Sequence, residues 1–222
     1  MARRPVRVVV FDIGETLLDE RRPWRGWAEY LGVSEAAFHA ALHQSIVAGE
    51  HHLRAFERLK PGFDLLAARK ERKAEGTAVA LAASDLYADA TPCVRLLQQR
   101  GFRVGLAANQ PPGRSEEFAR LLGIEPDFVG SSAEWGVEKP APEFFARVVA
   151  AAAVPPARIA YVGDRVDNDV LPARAAGMVA VFLVRGPWGR VHAKRPDSGQ
   201  AHISIESLAE LPDAIARYNR GD

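Results

Sequence analysis

At 222 residues, 48% of them hydrophobic, the chain can bury a sizeable core and suits one large domain or a domain carrying an insertion. Twenty-nine basic residues against 28 acidic ones leave a formal net charge of +1, which argues against a nucleic-acid or acidic-lipid partner. The single cysteine, Cys93, excludes an internal disulfide and fits a reducing compartment.

Met1-Ala2-Arg3-Arg4 has the basic start of a signal peptide, but the apolar run behind it ends at Asp12. That is too short for a signal core or a bilayer span, so a cytoplasmic protein with no membrane partner is expected. Val8-Val9-Val10-Phe11 is a short apolar run closed by Asp12, Gly14 and Glu15. Such runs read as strands buried on both faces, the strands of parallel sheets, whose ligands bind just beyond the carboxyl ends.

From Asp19 to about Ala88 no strand pattern appears and helical spacing recurs. Trp24, Trp27 and Leu31 share a face and Gly32 ends that helix. Ser34 is placed as an N-cap, with Val33 and Phe38 as a staple across it. Phe38, Leu42 and Ile46 continue a second helix to Gly49, and Leu53, Phe56 and Leu59 give a third face. Leu65–Arg72 and Ala78–Tyr87 are predicted as further helices. Trp24 and Trp27 are expected to pack this helical unit, and the adjacent His51 and His52 to point apart at its surface.

An α/β rhythm returns at Thr91-Pro92. Predicted strands follow at Phe102–Ala107, Phe128–Ser131, Ile159–Val162 and Val179–Val184. Between them lie helices at Val94–Gly101, from a Ser115 cap to Leu122, from Pro142, and at Asp169–Gly177. Residues 186–200 are predicted as a long loop. The fold class is therefore α/β: a Rossmann-like, mainly parallel five-stranded sheet. Its core is discontinuous, residues 1–17 and 90–222, and residues 18–89 form a separate helical domain.

The strand ends bring Asp12, Ala108-Asn109, Lys139, and Asp164 with Asp169 to one sheet edge. Clustered acids with one lysine and a loop of free N–H groups suit a magnesium ion and a phosphate, since magnesium prefers hard oxygen ligands and takes few from protein. One carboxylate can also serve as a nucleophile and become an aspartyl-phosphate.

Four segments carry a family likeness: Asp12-Ile13-Gly14-Glu15-Thr16-Leu17, Leu106-Ala107-Ala108-Asn109, Lys139-Pro140 through Phe145, and Val162-Gly163-Asp164 through Asp169. With them the chain resembles the haloacid dehalogenase-like hydrolases, in the branch with a helical cap inserted after the first strand. The resemblance implies Asp12 as nucleophile, and Asp12, the Gly14 carbonyl and Asp164 as magnesium ligands, with Asp169 holding water on the metal. It implies Lys139 steadying nucleophile and phosphoryl group, and Ala108, Asn109 and Lys139 binding phosphate. The expected substrate is a small-molecule phosphate ester; the oligomeric state is unknown.

Two positions depart from the family pattern. Gly14 stands where its phosphatases carry a second aspartate that protonates the leaving oxygen and later activates water. Ala108 stands where they carry Ser or Thr. A general acid is worth roughly 10²–10⁴-fold and one transition-state donor roughly 10²–10³-fold. The reading is a phosphatase, attenuated at these two positions; the alternative is a catalytically impaired binder of a phospholigand. A metal-free dehalogenase would also lack the second aspartate, but Asp164 argues against it. Glu15 is read as a solvated turn residue, with replacement of the missing acid as the competing role. Arg165 is read equally as a substrate contact or a surface ion pair, and Asp167 as a polar loop residue.

Overall fold

The computed structural model describes residues 5–222; the basic start at 1–4 lies outside them. The chain divides into two compact units, residues up to 19 with 86–222, and residues 20–85.

Strand β1 (Val8–Phe11) opens the first unit. All four of its side chains are fully buried, and burying each stabilises by about 1.5–3 kcal/mol. Residues 20–85 then form α1 (Arg21–Leu31), α2 (Glu35–Val47), α3 (Arg54–Leu59) and α4 (Leu65–Ala74). Ser34 caps α2 by accepting the Ala37 N–H, as its position predicts. Trp24 stacks on Phe38 at 5.6 Å and Trp27 meets Phe56 edge-on at 5.2 Å, so both tryptophans pack this unit. The buried Arg72 lays its guanidinium over Trp27 at 4.3 Å.

Two expectations fail in this unit. His51 and His52 precede α3 and stack at 4.2 Å, because the chain there is a turn rather than a helix. Ala78–Tyr87 is not a helix; only Ala83–Asp85 makes a 3-10 turn. Asp85 turns its carboxylate back onto the Ala82 N–H and pairs with Arg22, which also donates to the Ala80 carbonyl. Those bonds outweigh the strong helical preference of the alanines.

The first unit resumes with α5 (Ala90–Gln99), β2 (Arg103–Ala108), α6 (Arg114–Leu122), β3 (Phe128–Ser131), α7 (Ser132–Trp135) and α8 (Pro142–Ala152). It continues through β4 (Ile159–Gly163), α9 (Leu171–Ala175), β5 (Val179–Leu183), α10 (Gly186–His192), β6 (Ile203–Ile205) and α11 (Leu211–Arg220). The sheet is wholly parallel, in the order β3-β2-β1-β4-β5-β6. Val8, Val10, Tyr161 and Phe182 on one face pack with Phe144, Phe145 and Val148 of α8 and Ala173 of α9.

Where the first unit differs from expectation, the reasons are local. A sixth strand, β6, pairs with β5; Ser204 interrupts its apolar pattern and only three residues take part. Residues 186–200 hold α10 and a 3-10 turn at Pro196–Gln200 rather than a loop. Pro187 pre-sets the first turn of α10, and Trp188 and His192 bury its inner face. Helix α6 begins one residue before Ser115, after Gly113 at φ 75°, and Ser115 is buried instead of capping. Residues 166–170 form a π turn before the shorter α9. Among the described residues no helix is long and apolar enough to cross a membrane.

Strand β1 lies between β2 and β4, with Phe11 beside Val162. The chain runs from β1 outward to β2 and β3, then crosses back to β4 on the other side. The loops after β1 and β4 therefore part in opposite directions and open a crevice at their carboxyl ends, the usual ligand position in such sheets.

Candidate active site

The Asp12 N–H bonds to the Val162 carbonyl at 2.9 Å and carries the ladder one residue past β1. Asp12 thus stands at the sheet edge beside the end of β4. After β4 the chain turns sharply, and the Asp169 carboxylate folds back over Gly163. A Cβ at Gly163 would lie 2.4 Å from Asp169 Cγ, so glycine is what leaves room for it. Asp12, Asp164 and Asp169 each bring an oxygen to within 4.8 Å of the others, and all three are buried.

Lys139, 4% exposed, reaches this cluster from the loop before α8. Its Nζ donates to Asp12 Oδ1 at 2.7 Å and to Asp169 Oδ1 at 2.6 Å. Burial works against the ammonium, but the charges of Asp12 and Asp169 outweigh it and hold the Lys139 pKa well above that of a free lysine. The Lys139 backbone is fixed by Asn109, whose Oδ1 accepts its N–H at 2.8 Å and whose Nδ2 donates to its carbonyl at 3.0 Å. Below the ammonium lies the Tyr161 ring, 5.6 Å away, anchored by its hydroxyl on the Ala107 carbonyl.

The three carboxylates are not equivalent. Asp169 has both oxygens engaged, Oδ1 by Lys139 and Oδ2 by the Arg165 N–H at 3.0 Å. Asp164 Oδ2 is buried with no hydrogen-bond partner. Burial, then the charges of Asp169 and Asp12, push the Asp164 pKa well above the usual carboxyl range; burial, opposed by Lys139, raises Asp169 to about 6. Crowded carboxylates around an orphaned buried oxygen, with no nitrogen or sulfur donor in the set, suit a hard divalent cation.

Around this centre several predicted residues behave in ways the sequence did not announce. Glu15 is not solvated: it is 3% exposed, adopts φ 53°, and accepts the Tyr87 hydroxyl on Oε2 at 2.7 Å. A Cβ at Gly186 would lie 2.5 Å from that same oxygen, so Gly186 makes the pocket Glu15 fills. Glu15, rather than Gly14, takes the left-handed turn, and Gly14 instead bridges to Leu18. Ala108 ends β2 fully buried and brings no hydroxyl. Arg165 is an ion-pair residue, bonded to Asp167 by two nitrogens at 3.0 and 3.1 Å. Tyr161 and Tyr87 escaped the sequence reading. The available signal was a single polar-tipped ring in each of two otherwise apolar or helical contexts.

The family model described as haloacid dehalogenase-like hydrolase matches residues 6–177. The chain belongs to that family. Among its curated relatives, a Methanopyrus kandleri protein named glyceraldehyde 3-phosphate phosphatase is 34% identical over 131 residues, 58% of this chain and 56% of that protein. A Thermus thermophilus protein named phosphoserine phosphatase is 35% identical over 127 residues, 56% of this chain and 51% of that protein. The chain thus spans about half the length of these relatives. In fold, this hydrolase is similar to the HAD-hydrolase YfnB of Bacillus subtilis, solved bound to magnesium, with a TM-score of 0.69 and 18% identity. That match covers 96% of this chain and 99% of the other.

Proposed function

We propose that the protein is a magnesium-dependent phosphatase of small phosphate esters that works through an aspartyl-phosphate on Asp12. The observation that carries this reading is the buried cluster of Asp12, Asp164 and Asp169 at the switch point of the sheet, with Lys139 bonded to two of its members. The names of the relatives support the reaction class. Asp12, Asp164 and the Gly14 carbonyl would hold the ion, with Asp169 behind them; when bound, the ion neutralises the phosphate charge that a carboxylate nucleophile must approach.

The chain's own groups then divide the work. Lys139 holds Asp12 by one oxygen and presents a positive charge to the phosphoryl group. Asp12 attacks phosphorus; its new O–P bond forms as the bond to the ester oxygen breaks. Water then attacks phosphorus, the O–P bond to Asp12 breaks, and inorganic phosphate leaves. Asn109 acts from behind by fixing the Lys139 backbone, while its own backbone N–H would donate to a phosphoryl oxygen.

Gly14 leaves the departing oxygen without a carboxylic acid. Glu15 is a poor replacement. Its carboxylate is buried and engaged by the Tyr87 hydroxyl, in a seat shaped by Gly186, rather than free to reach the leaving oxygen. Aryl and acyl phosphates, whose leaving groups need little protonation, should therefore be cleaved well and simple alkyl phosphates poorly. Gly14→Asp should raise glycerol phosphate hydrolysis by about 10–10³-fold, within the worth of general acid catalysis. Because φ at Gly14 is not positive, the backbone should accept the side chain. Steady-state rates on p-nitrophenyl phosphate, acetyl phosphate and glycerol phosphate, with and without magnesium, test this. Rapid glycerol phosphate turnover by the wild-type protein would overturn the leaving-group account. Ala108, buried without a hydroxyl, favours a second reading as a phospholigand-binding protein. That reading takes over if neither ester class is cleaved and folded Gly14→Asp stays inert.

A further inference from the structure

The turn that carries Asp164 and Asp169 is held from outside by a residue that the reaction does not use. Helix α10 lies next to this turn, and His192 in its last turn is 2% exposed. The Val166 N–H donates to His192 Nδ1 at 3.0 Å. Val166 is fully buried, so its amide depends on that imidazole nitrogen rather than on solvent. Two residues before Val166 stands Asp164; three residues after it stands Asp169. Trp188, one turn earlier on α10, lies 5.8 Å beneath the Arg165 guanidinium, so the helix grips the turn at two successive residues.

We propose that His192 is a positioning residue for the acidic turn: its unprotonated Nδ1 receives the Val166 N–H and so fixes the backbone from which Asp164 and Asp169 reach the active centre. The inference rests on the reading of those acids as the working cluster. Nδ1 cannot both accept from Val166 and donate to a carboxylate. At 3.0 Å the amide is within hydrogen-bond range, whereas Asp167 Oδ1, at 3.8 Å, is not. The imidazole is therefore neutral, with its proton on Nε2. Protonating Nδ1 would set two donors face to face and offer the new N–H the nearby Asp167 carboxylate instead.

The groups around His192 set the direction of this effect. Burial, the first influence, lowers the His192 pKa below its ordinary value; Asp167 opposes it, Arg195 and Arg165 add to it, and Asp197 opposes it weakly. A histidine with a depressed folded pKa contributes stability that is present above its unfolded pKa and lost as pH falls through the folded value. The turn should accordingly loosen on the acid side only.

The decisive measurement is the long-range proton–nitrogen spectrum of the His192 ring in the metal-free protein, together with a magnesium titration of His192 variants. At neutral pH the spectrum should report an unprotonated Nδ1 and a proton on Nε2. It is read without metal or substrate, so it decides the contact whether or not the phosphatase reading holds. His192→Leu, if folded, should weaken magnesium binding by about 10–100-fold, the usual cost of losing an outer support of a metal site. His192→Asn, whose side-chain oxygen can take the place of Nδ1, should restore binding to within about threefold. It should also remove the acid-side weakening that wild type shows. A proton on Nδ1 at neutral pH would overturn the proposal. So would wild-type magnesium affinity in folded His192→Leu, or an Asn variant as impaired as the Leu variant.

Discussion

Asp12→Asn is expected to stop p-nitrophenyl phosphate hydrolysis, a fall on the order of 10⁴–10⁶-fold, as when a covalent nucleophile is removed. The fold should survive. The introduced amide keeps an oxygen for Lys139, and the change removes one of three buried carboxyl groups that crowd a single ammonium. Thermal stability without metal should therefore hold or rise, while in the proposed metal site magnesium affinity should fall because a carboxylate has become a neutral amide. Activity and melting should thus separate. A variant that loses both together has merely unfolded, and one that retains full activity would remove Asp12 from the chemistry.

Lys139→Met should produce the largest loss of stability. The side chain is of similar length, but the ammonium that bridges Asp12 and Asp169 is gone, leaving two buried carboxylates facing each other. Breaking a buried pair by removing one partner costs about 3–5 kcal/mol. Asn109 still ties the main chain at position 139, so the deficit reports the charge rather than a displaced loop. Its pH dependence has a definite sign. Asp169 already has a folded pKa raised to about 6, above the ordinary carboxyl value. A raised carboxyl contributes stability below its unfolded pKa and loses it as pH rises through the folded one. The variant should be further below wild type at pH 8 than at pH 5, measured by urea unfolding without metal. An equal deficit at both pH values would contradict the electrostatic account.

The parts of the fold that were legible in the sequence are those in which one residue pattern has one physical solution. Val8–Phe11, Ile159–Gly163 and Val179–Leu183 are buried on both faces, so their apolar runs read directly as strands. The acids and lysine at the ends of such strands or in the loops between them were legible for the same reason. The short edge strand Ile203–Ile205 was not, since one polar residue and a length of three leave no periodicity to find. Helix α10 was hidden because Gly186, Pro187 and Gly189 have loop composition; the close packing of Gly189 against the Leu183 carbonyl explains one of them. The clamp of Asn109 on Lys139, the seat of Glu15 between Tyr87 and Gly186, and the hold of His192 on Val166 all join residues distant in sequence. No local pattern encodes such pairs. Glu15 shows the consequence most sharply, because its charge suggests solvent while its partner Tyr87 lies 72 residues away.

In the proposed mechanism the absence of an acid at Gly14 affects both chemical steps, but an aryl leaving group relieves only the first. Water must still attack the aspartyl-phosphate without a nearby general base, so that intermediate should accumulate. Rapid mixing of the enzyme with magnesium and p-nitrophenyl phosphate, quenched in acid and analysed by peptide mass, tests this most directly. We expect a nitrophenol burst close to one equivalent of enzyme, with a phosphoryl group on the peptide carrying Asp12 and none in Asp12→Asn. Turnover with no burst and no phosphorylated peptide, or a phosphoryl group on a residue other than Asp12, would contradict the account.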